Sequence, residues 1–232
     1  MSHTVLLATN NLKKLAELRR LLAEQHLDLV VLGLGDVAPY PSPAETEWTF
    51  EGNAILKARA GARHSGLVSL ADDSGIQVDA LGGMPGVRSA RWAGPEHEDV
   101  ANLELVLRQI DDVPPERRDA QFVSVVALAS PDGREHTARG VMSGKVSLAP
   151  RGAHGFGYDP IFVADDQVIE PGARARTNAE MSAEEKDAIS HRGRALRQMV
   201  PVLCEVLGLP VPAPVPPPPL PVTRQCPPST TI

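Results

Sequence analysis

The sequence predicts a mixed α/β fold on a sheet whose strands do not all run the same way. Two observations predict it. Thr4 to Ala8 is a short apolar run that leads through Thr9-Asn10-Asn11 into a helical pattern, with Leu15, Leu18, Leu21 and Leu22 at helical spacing. Gln121 to Ala129 and about Glu135 to Val146 flank Ser130-Pro131-Asp132-Gly133, whose residues suit a tight turn, so this pair runs antiparallel. A simple doubly wound parallel sheet is therefore disfavoured.

A chain of 232 residues supports one substantial domain, or one large domain built as two lobes around a cleft. Its net charge of -6 gives no electrostatic footprint for nucleic acid or for an anionic membrane, so an anionic ligand needs a local cluster of cations. The N-terminal segment has no basic region, and its apolar run is too short for a signal peptide or membrane span, so the expected location is the cytoplasm. Cys204 and Cys226 form neither a disulfide framework nor a zinc spacing, so any bound metal is expected on oxygen. The domain is expected to span 1–209. Residues 210–232 form a proline-rich tail, disordered or polyproline II, which is either a docking segment or a dispensable extension.

In chain order, Asn10 or Asn11 caps the first helix. Thr9, Asn10, Asn11, Lys13 and Lys14 bring a hydroxyl, two amides, two ammonium groups and free helical N–H groups to one turn, where an anion can sit. A plain capped helix with solvated lysines has the same sequence. Leu29 to Leu32 reads as a second strand, and Gly33 to Trp48 as an irregular stretch carrying Glu45. Thr49 caps a helix running to about His64, on which Asn53 and Lys57 share a face that points either into a cleft or into solvent.

Leu67 to Ala71 reads as a buried strand delivering Asp72, Asp73 and Ser74 onto a turn at Gly75. Those acids either hold a metal and activate water or make an ordinary Asp-Asp-Ser-Gly turn. Ile76 to Leu81 alternates like a further strand. Arg91 and Trp92 either face ligand or pack a loop. Asp99 can cap a helix through Ile110. Gly152 to Pro160 is a glycine loop with Phe156, Tyr158 and Asp159. Aromatics are scarce in this chain, and three lie between Phe156 and Phe162, where they either sandwich a flat ring or anchor the loop. Ser182 to Glu185 has the capping-box pattern, which sets Lys186 on a helical turn approaching Ser190-His191-Arg192. This trio of Lys186, His191 and Arg192 is expected to be cationic. The last helix is striped by Leu196, Met199, Val200, Leu203, Val206 and Leu207, and it ends at Gly208 and Pro210.

Together, Ala8-Thr9-Asn10-Asn11-Leu12-Lys13-Lys14, Thr49 to Ala58, Ala71-Asp72-Asp73-Ser74-Gly75, Phe156-Gly157-Tyr158-Asp159-Pro160 and Ser190-His191-Arg192-Gly193 resemble the inosine triphosphate pyrophosphatase family. The resemblance runs from about Thr4 to Leu207. It implies an elongated mixed sheet with helices, two lobes around a central active-site cleft, and a homodimer. It also implies hydrolysis of non-canonical purine nucleoside triphosphates (ITP, dITP, XTP) to monophosphate and pyrophosphate with Mg²⁺. On that resemblance Thr9, Asn10, Asn11, Leu12, Lys13 and Lys14 hold phosphates, Asp73 is proton acceptor and metal ligand, and Lys57 assists it. Glu45 is a second metal ligand. Asn53, Ser74, Phe156, Gly157, Tyr158, Asp159, Lys186, His191 and Arg192 contact substrate, and Asp72 supports Asp73 by pairing with Lys57.

Two departures stand out. The family pattern reads Glu-Asn-Ala where this chain has Gly52-Asn53-Ala54, which leaves Glu51 one position early. It reads Glu-Thr-Gly where this chain has Glu45-Thr46-Glu47. A Maf-like pyrophosphatase for modified pyrimidine nucleotides, or a non-catalytic nucleotide-binding protein, are the alternatives.

Overall fold

The computed structural model describes residues 3–213 and 219–223. Strand β1 (His3–Leu7) leads into helix α1 (Leu12–Ala23), whose first turn is capped by the Asn11 side chain, which accepts from the amides of Lys13 and Lys14. Strand β2 (Leu29–Gly33) follows. After an irregular stretch comes helix α2 (Phe50–Ser65), capped by Thr49 and closed by Gly66 in the left-handed region. Strand β3 (Val68–Val78) is followed by the two-residue β4 (Met84–Pro85), a 3₁₀ segment Gly86–Arg91 and helix α3 (Asp99–Gln109). Strands β5 (Asp119–Ala129) and β6 (Glu135–Val146) form the expected hairpin, and β7 (Phe162–Ala164) adds to it. Then come β8 (Val168–Ile169), α4 (Ala183–Ile189) with the expected capping box, α5 (His191–Leu207) and β9 (Val222–Thr223).

Seven strands form one sheet, in the order β2-β1-β3-β5-β6-β7, with β4 also paired to β3. The first three are parallel and the remaining pairings antiparallel, so the sheet is mixed as expected. Alternation along the strands sorts the core into parts. Leu6, Ala71, Val125 and Ala127 face α2, packing on Phe50, Ala54 and Ala58. Val5, Leu7, Leu70, Val126 and Leu128 face the opposite side, against Leu18 and Leu21 of α1 and Leu196, Met199 and Leu203 of α5. Each such fully buried leucine contributes about 1.5–3 kcal/mol of transfer free energy. Farther along, Ile76, Val78, Phe122 and Met142 build a third core with α3, Tyr158 and Phe162. The long strands β3, β5 and β6 thus serve two lobes.

One expectation fails. Asp72-Asp73-Ser74-Gly75 is not a turn at the end of a strand but the middle of β3, and Ile76 to Val78 continues the same strand. Locally this tetrapeptide has turn chemistry, but its backbone is laddered to β5 through Asp72↔Val126, Asp73↔Val125, Ser74↔Ser124 and Gly75↔Val123. Gly75 serves close approach instead, since a Cβ there would collide with Ser89, which crosses over the strand and accepts from the Ile76 amide at 3.0 Å.

Part of the proline-rich tail, 210–213 and 219–223, is placed. Val222–Thr223 pairs in parallel with Val168–Ile169, and Thr223 is buried beneath Arg176. Residues 214–218 and 224–232, Cys226 included, lie outside the described residues. Cys204 is a buried free thiol. Among the described residues no helix is long and apolar enough to cross a membrane.

Candidate active site

A cavity of about 600 Å³ opens where the lobes meet. Even-numbered residues of β3 share one face, which meets α1 and α5 at Leu70 and α3 from Ile76 onward. Between Leu70 in one core and Ile76 in the next, that row carries Asp72 and Ser74. The polar gap is filled by charge. Asp72 Oδ2 lies 2.9 Å from Lys14 Nζ and 3.3 Å from Arg192 Nε, and it accepts from Ser74 Oγ at 3.1 Å. Arg192 also donates to Glu17 at 2.8 Å and to Ser74 Oγ at 2.9 Å. Burial alone would raise the Asp72 carboxyl, but Lys14, Arg192 and Lys57 outweigh it and hold Asp72 well below the usual carboxylate range. Lys14 is lowered too, but there burial itself dominates and works against the charged ammonium.

Asp73 points to the opposite face, toward α2. There Asn53 and Lys57, one turn apart, both reach Asp73: Lys57, which lines the cavity, has Nζ 3.0 Å from Asp73 Oδ1, while Asn53, fully buried and outside the lining, donates from Nδ2 to Asp73 Oδ2 at 3.3 Å. The expected pairing of Asp72 with Lys57 is therefore corrected. Strand alternation gives Lys57 to Asp73 and leaves Asp72 to Lys14 and Arg192.

Lys57 also donates to Glu45 Oε1 at 3.1 Å, and Arg91 donates to Glu45 Oε2 at 2.7 Å. The two carboxylates around Lys57 are driven apart. Burial raises Asp73 above its ordinary value, and the charge of Glu45 adds to that. Burial would raise Glu45 as well, but Lys57 and Arg91 bring it below its ordinary value. Burial works against the Lys57 ammonium, and Asp73, Asp72 and Glu45 more than compensate, so it stays protonated. A carboxyl raised beside one that is lowered is the pairing expected of a proton acceptor and an electrostatic anchor.

The two departures near Glu45 meet in space. A Cβ on Gly52 would lie 2.6 Å from Glu47 Cβ, so the glycine makes room for the glutamate. The buried Asn53 holds the same segment by exchanging hydrogen bonds with the Glu47 backbone. Glu51 instead meets Arg139 on the surface at 2.9 Å, away from the cavity.

At the first helix, Thr9, Asn10, Asn11 and Lys14 line the cavity, whereas Lys13 and the 77% exposed Leu12 line a shallower recess beside it. The amides of Lys13 and Lys14 are not free as expected, since Asn11 Oδ1 takes them at 3.0 and 3.2 Å.

At the far end, the Phe156 ring is surrounded by Lys186 Nζ at 4.9 Å, Arg192 Cζ at 5.2 Å and Lys13 Nζ at 5.6 Å. Asp159 holds this loop by accepting from the Phe156 amide at 2.9 Å and from Lys186 at 2.6 Å. Tyr158 is the loop anchor, buried in the third core with its hydroxyl donating to Ser89 O at 2.8 Å. His191 stacks on Phe122 with ring centroids 4.9 Å apart, and neither ring nitrogen has a hydrogen-bond partner. The expected cationic trio is thus two cations and a neutral imidazole: burial, then Arg192 and Lys186, lower His191 well below 6.5.

Glu17, Ser89, Asp99 and Phe122 were not singled out as site residues from sequence. Glu17 carried a signal, because it falls on the same helical face as Lys14, Leu18 and Leu21. Asp99 does not cap α3. It accepts from the Gly157 amide at 3.0 Å and from Lys13 at 3.3 Å.

Asp73 and Glu45 are the carboxylates that could hold a hard divalent cation. Asp73 and Glu45 each present an oxygen about 3 Å from the one Lys57 ammonium, a place already suited to positive charge. Among the described residues no group of three or more His, Cys, Asp or Glu side chains is arranged for metal. Two carboxylates leave coordination positions for phosphate oxygens and water, the arrangement magnesium favours.

A family model described as the Ham1 family matches residues 5–202. A dITP/XTP pyrophosphatase of Corynebacterium efficiens is 52% identical over 205 residues, covering 88% of this chain and 99% of the relative. One from Corynebacterium diphtheriae is 54% identical over 200 residues, covering 86% and 96%. The crystal structure of a nucleoside-triphosphatase / dITP/XTP pyrophosphatase from Mycobacterium abscessus superposes with a TM-score of 0.68 at 49% identity, covering 85% of this chain and 99% of that one.

Proposed function

This chain belongs to the Ham1 family, and from that membership we propose that it hydrolyses non-standard purine nucleoside triphosphates, dITP, XTP and ITP, to monophosphate and pyrophosphate, so cleansing the nucleotide pool. The observation that carries the reading is the cavity's two chemistries. A buried acid–lysine cluster lies at Asp73, and an aromatic ring with an unpartnered neutral imidazole lies at Phe156 and His191.

A triphosphate carries about four negative charges, which must be neutralised while water is placed in line with the scissile anhydride. Thr9, Asn10, Asn11, Lys13 and Lys14, with Lys57, meet the phosphates. Asp73 takes a proton from the water as its oxygen bonds to a phosphorus of the α–β anhydride. The bridging P–O bond then breaks, and the two products, nucleoside monophosphate and pyrophosphate, separate. Asp73 and Glu45 would hold Mg²⁺, which when bound supplies further charge neutralisation at the phosphates. Ser74, its hydroxyl tied to Arg192 and Asp72 on the face opposite Asp73, contacts the substrate from that side, while Phe156 stacks on the base. His191, with one N–H donor and one acceptor unspent, reads the base edge. A homodimer acting in the cytoplasm belongs to the same proposal, as does the tail beyond residue 209 as an extension outside the catalytic domain.

Pyrophosphate release from ITP, XTP, dITP, ATP and GTP, with and without Mg²⁺, tests the reading. Preference for the 6-oxo, non-standard purines with Mg²⁺-dependent turnover is expected. Tight ITP binding without turnover, or preference for modified pyrimidines, would overturn it.

A further inference from the structure

The tip of the loop carrying Phe156 is held through two successive backbone amides, each taken by an aspartate. Gly152, Gly155 and Gly157 all sit at positive φ, so the backbone itself is permissive there. Inside the loop, Asp159 takes the Phe156 amide. From outside it, the Asp99 carboxylate takes the next amide, that of Gly157, at 3.0 Å, and the same oxygen lies 3.3 Å from Lys13 Nζ. Asp99 is the first residue of α3, whose N-cap position is Glu98, and α3 has no side-chain cap. Its carboxylate is therefore free of the local duty its sequence position suggests and joins three separate elements. Those elements are the start of α1, the start of α3 and the aromatic loop. It lines both the main cavity and the recess beside it.

The two contacts are unequal. Lys13 and Asp99 side chains are 61% and 45% exposed, so their ion pair is a weak, screened contact. The Gly157 bond is a charge-assisted hydrogen bond to a partly buried backbone donor, and without it that N–H loses its partner.

We propose that Asp99 is a positioning residue for substrate: through the Gly157 amide it fixes the Phe156 ring against the cations around it, so that the base platform is set before the nucleotide arrives. This rests on the nucleotide reading above. A pre-set platform serves binding and leaves the chemistry at Asp73 alone, so its loss appears in KM.

The test compares Asp99→Ala, which removes the acceptor, with Asp99→Asn, which keeps an acceptor oxygen and removes the charge. The expected result is a KM for ITP raised about tenfold in D99A with kcat within about twofold, and most of that loss recovered in D99N. Amide hydrogen exchange over residues 153–158, without nucleotide, should quicken in D99A and return toward wild type in D99N. Unchanged exchange, unchanged KM, or a loss falling on kcat would each overturn the proposal. A wild-type enzyme inert toward ITP would overturn the functional reading alone, since the exchange experiment reads the clamp without substrate.

Discussion

Lys57 Nζ stands 3.0 Å from Asp73 Oδ1 and 3.1 Å from Glu45 Oε1, so one ammonium holds both carboxylates proposed for the chemistry. Asp73 accepts a proton only as carboxylate, so kcat/KM falls as pH drops through its pKa. Burial has already raised that pKa above 3.8, and Lys57 is the largest influence opposing the rise. Lys57→Met should therefore move the acid limb of the pH profile to higher pH and lower kcat about tenfold or more. An acid limb that stays in place would separate Lys57 from Asp73.

Asp73→Asn should lower kcat at least about a hundredfold, the usual scale for a general base. Steady-state kinetics with ITP, beside a thermal melt showing retained structure, decide it. A near-normal rate removes Asp73 from the role.

Asp72→Asn should show its main effect on stability. It leaves Lys14 and Arg192 buried with one counter-charge fewer, a loss of about 3–5 kcal/mol when a buried pair is broken. Urea melts should place its midpoint below that of Asp73→Asn.

Acid sensitivity follows from the same carboxylate. The folded pKa of Asp72 is depressed below 3.8, so its stabilisation is complete above that value and is lost as pH falls through the folded pKa. Wild type should lose stability in that acid window more steeply than Asp72→Asn. Parallel curves would mean that other carboxylates govern acid unfolding.

His191→Ala should narrow the preference for ITP over ATP by about tenfold or more, since a buried edge reader rejects the wrong partner by leaving groups unpaired. Equal loss on both nucleotides would show that His191 does not read the base. Because burial keeps its imidazole neutral, activity should show no titration attributable to His191 near 6.5.

Local chemistry was legible in the sequence. Asn11, Thr49 and Ser182 cap their helices as their spacing predicts, because a cap is satisfied within a few residues. The hairpin around Ser130 to Gly133 was legible for the same reason. Asp72-Asp73-Ser74-Gly75 was misread because its turn chemistry yields to a ladder with a strand some fifty residues onward. Asp99 likewise looked like a cap, since its true partners, Lys13 and Gly157, are near only in space. The neutrality of His191 depends on burial against Phe122, which no spacing reveals.

Along β3, successive positions address different halves of the molecule, Asp72 toward α1 and α5 and Asp73 toward α2. What must be inherited there is thus a count as much as a set of letters. Adding or deleting one residue between Leu70 and Ile76 would exchange the faces, setting a carboxylate against Ala54 and an apolar side chain against Arg192. This segment can accept replacement one residue at a time but no change of length. Insertions and deletions belong in the connections around it, where no parity has to be kept.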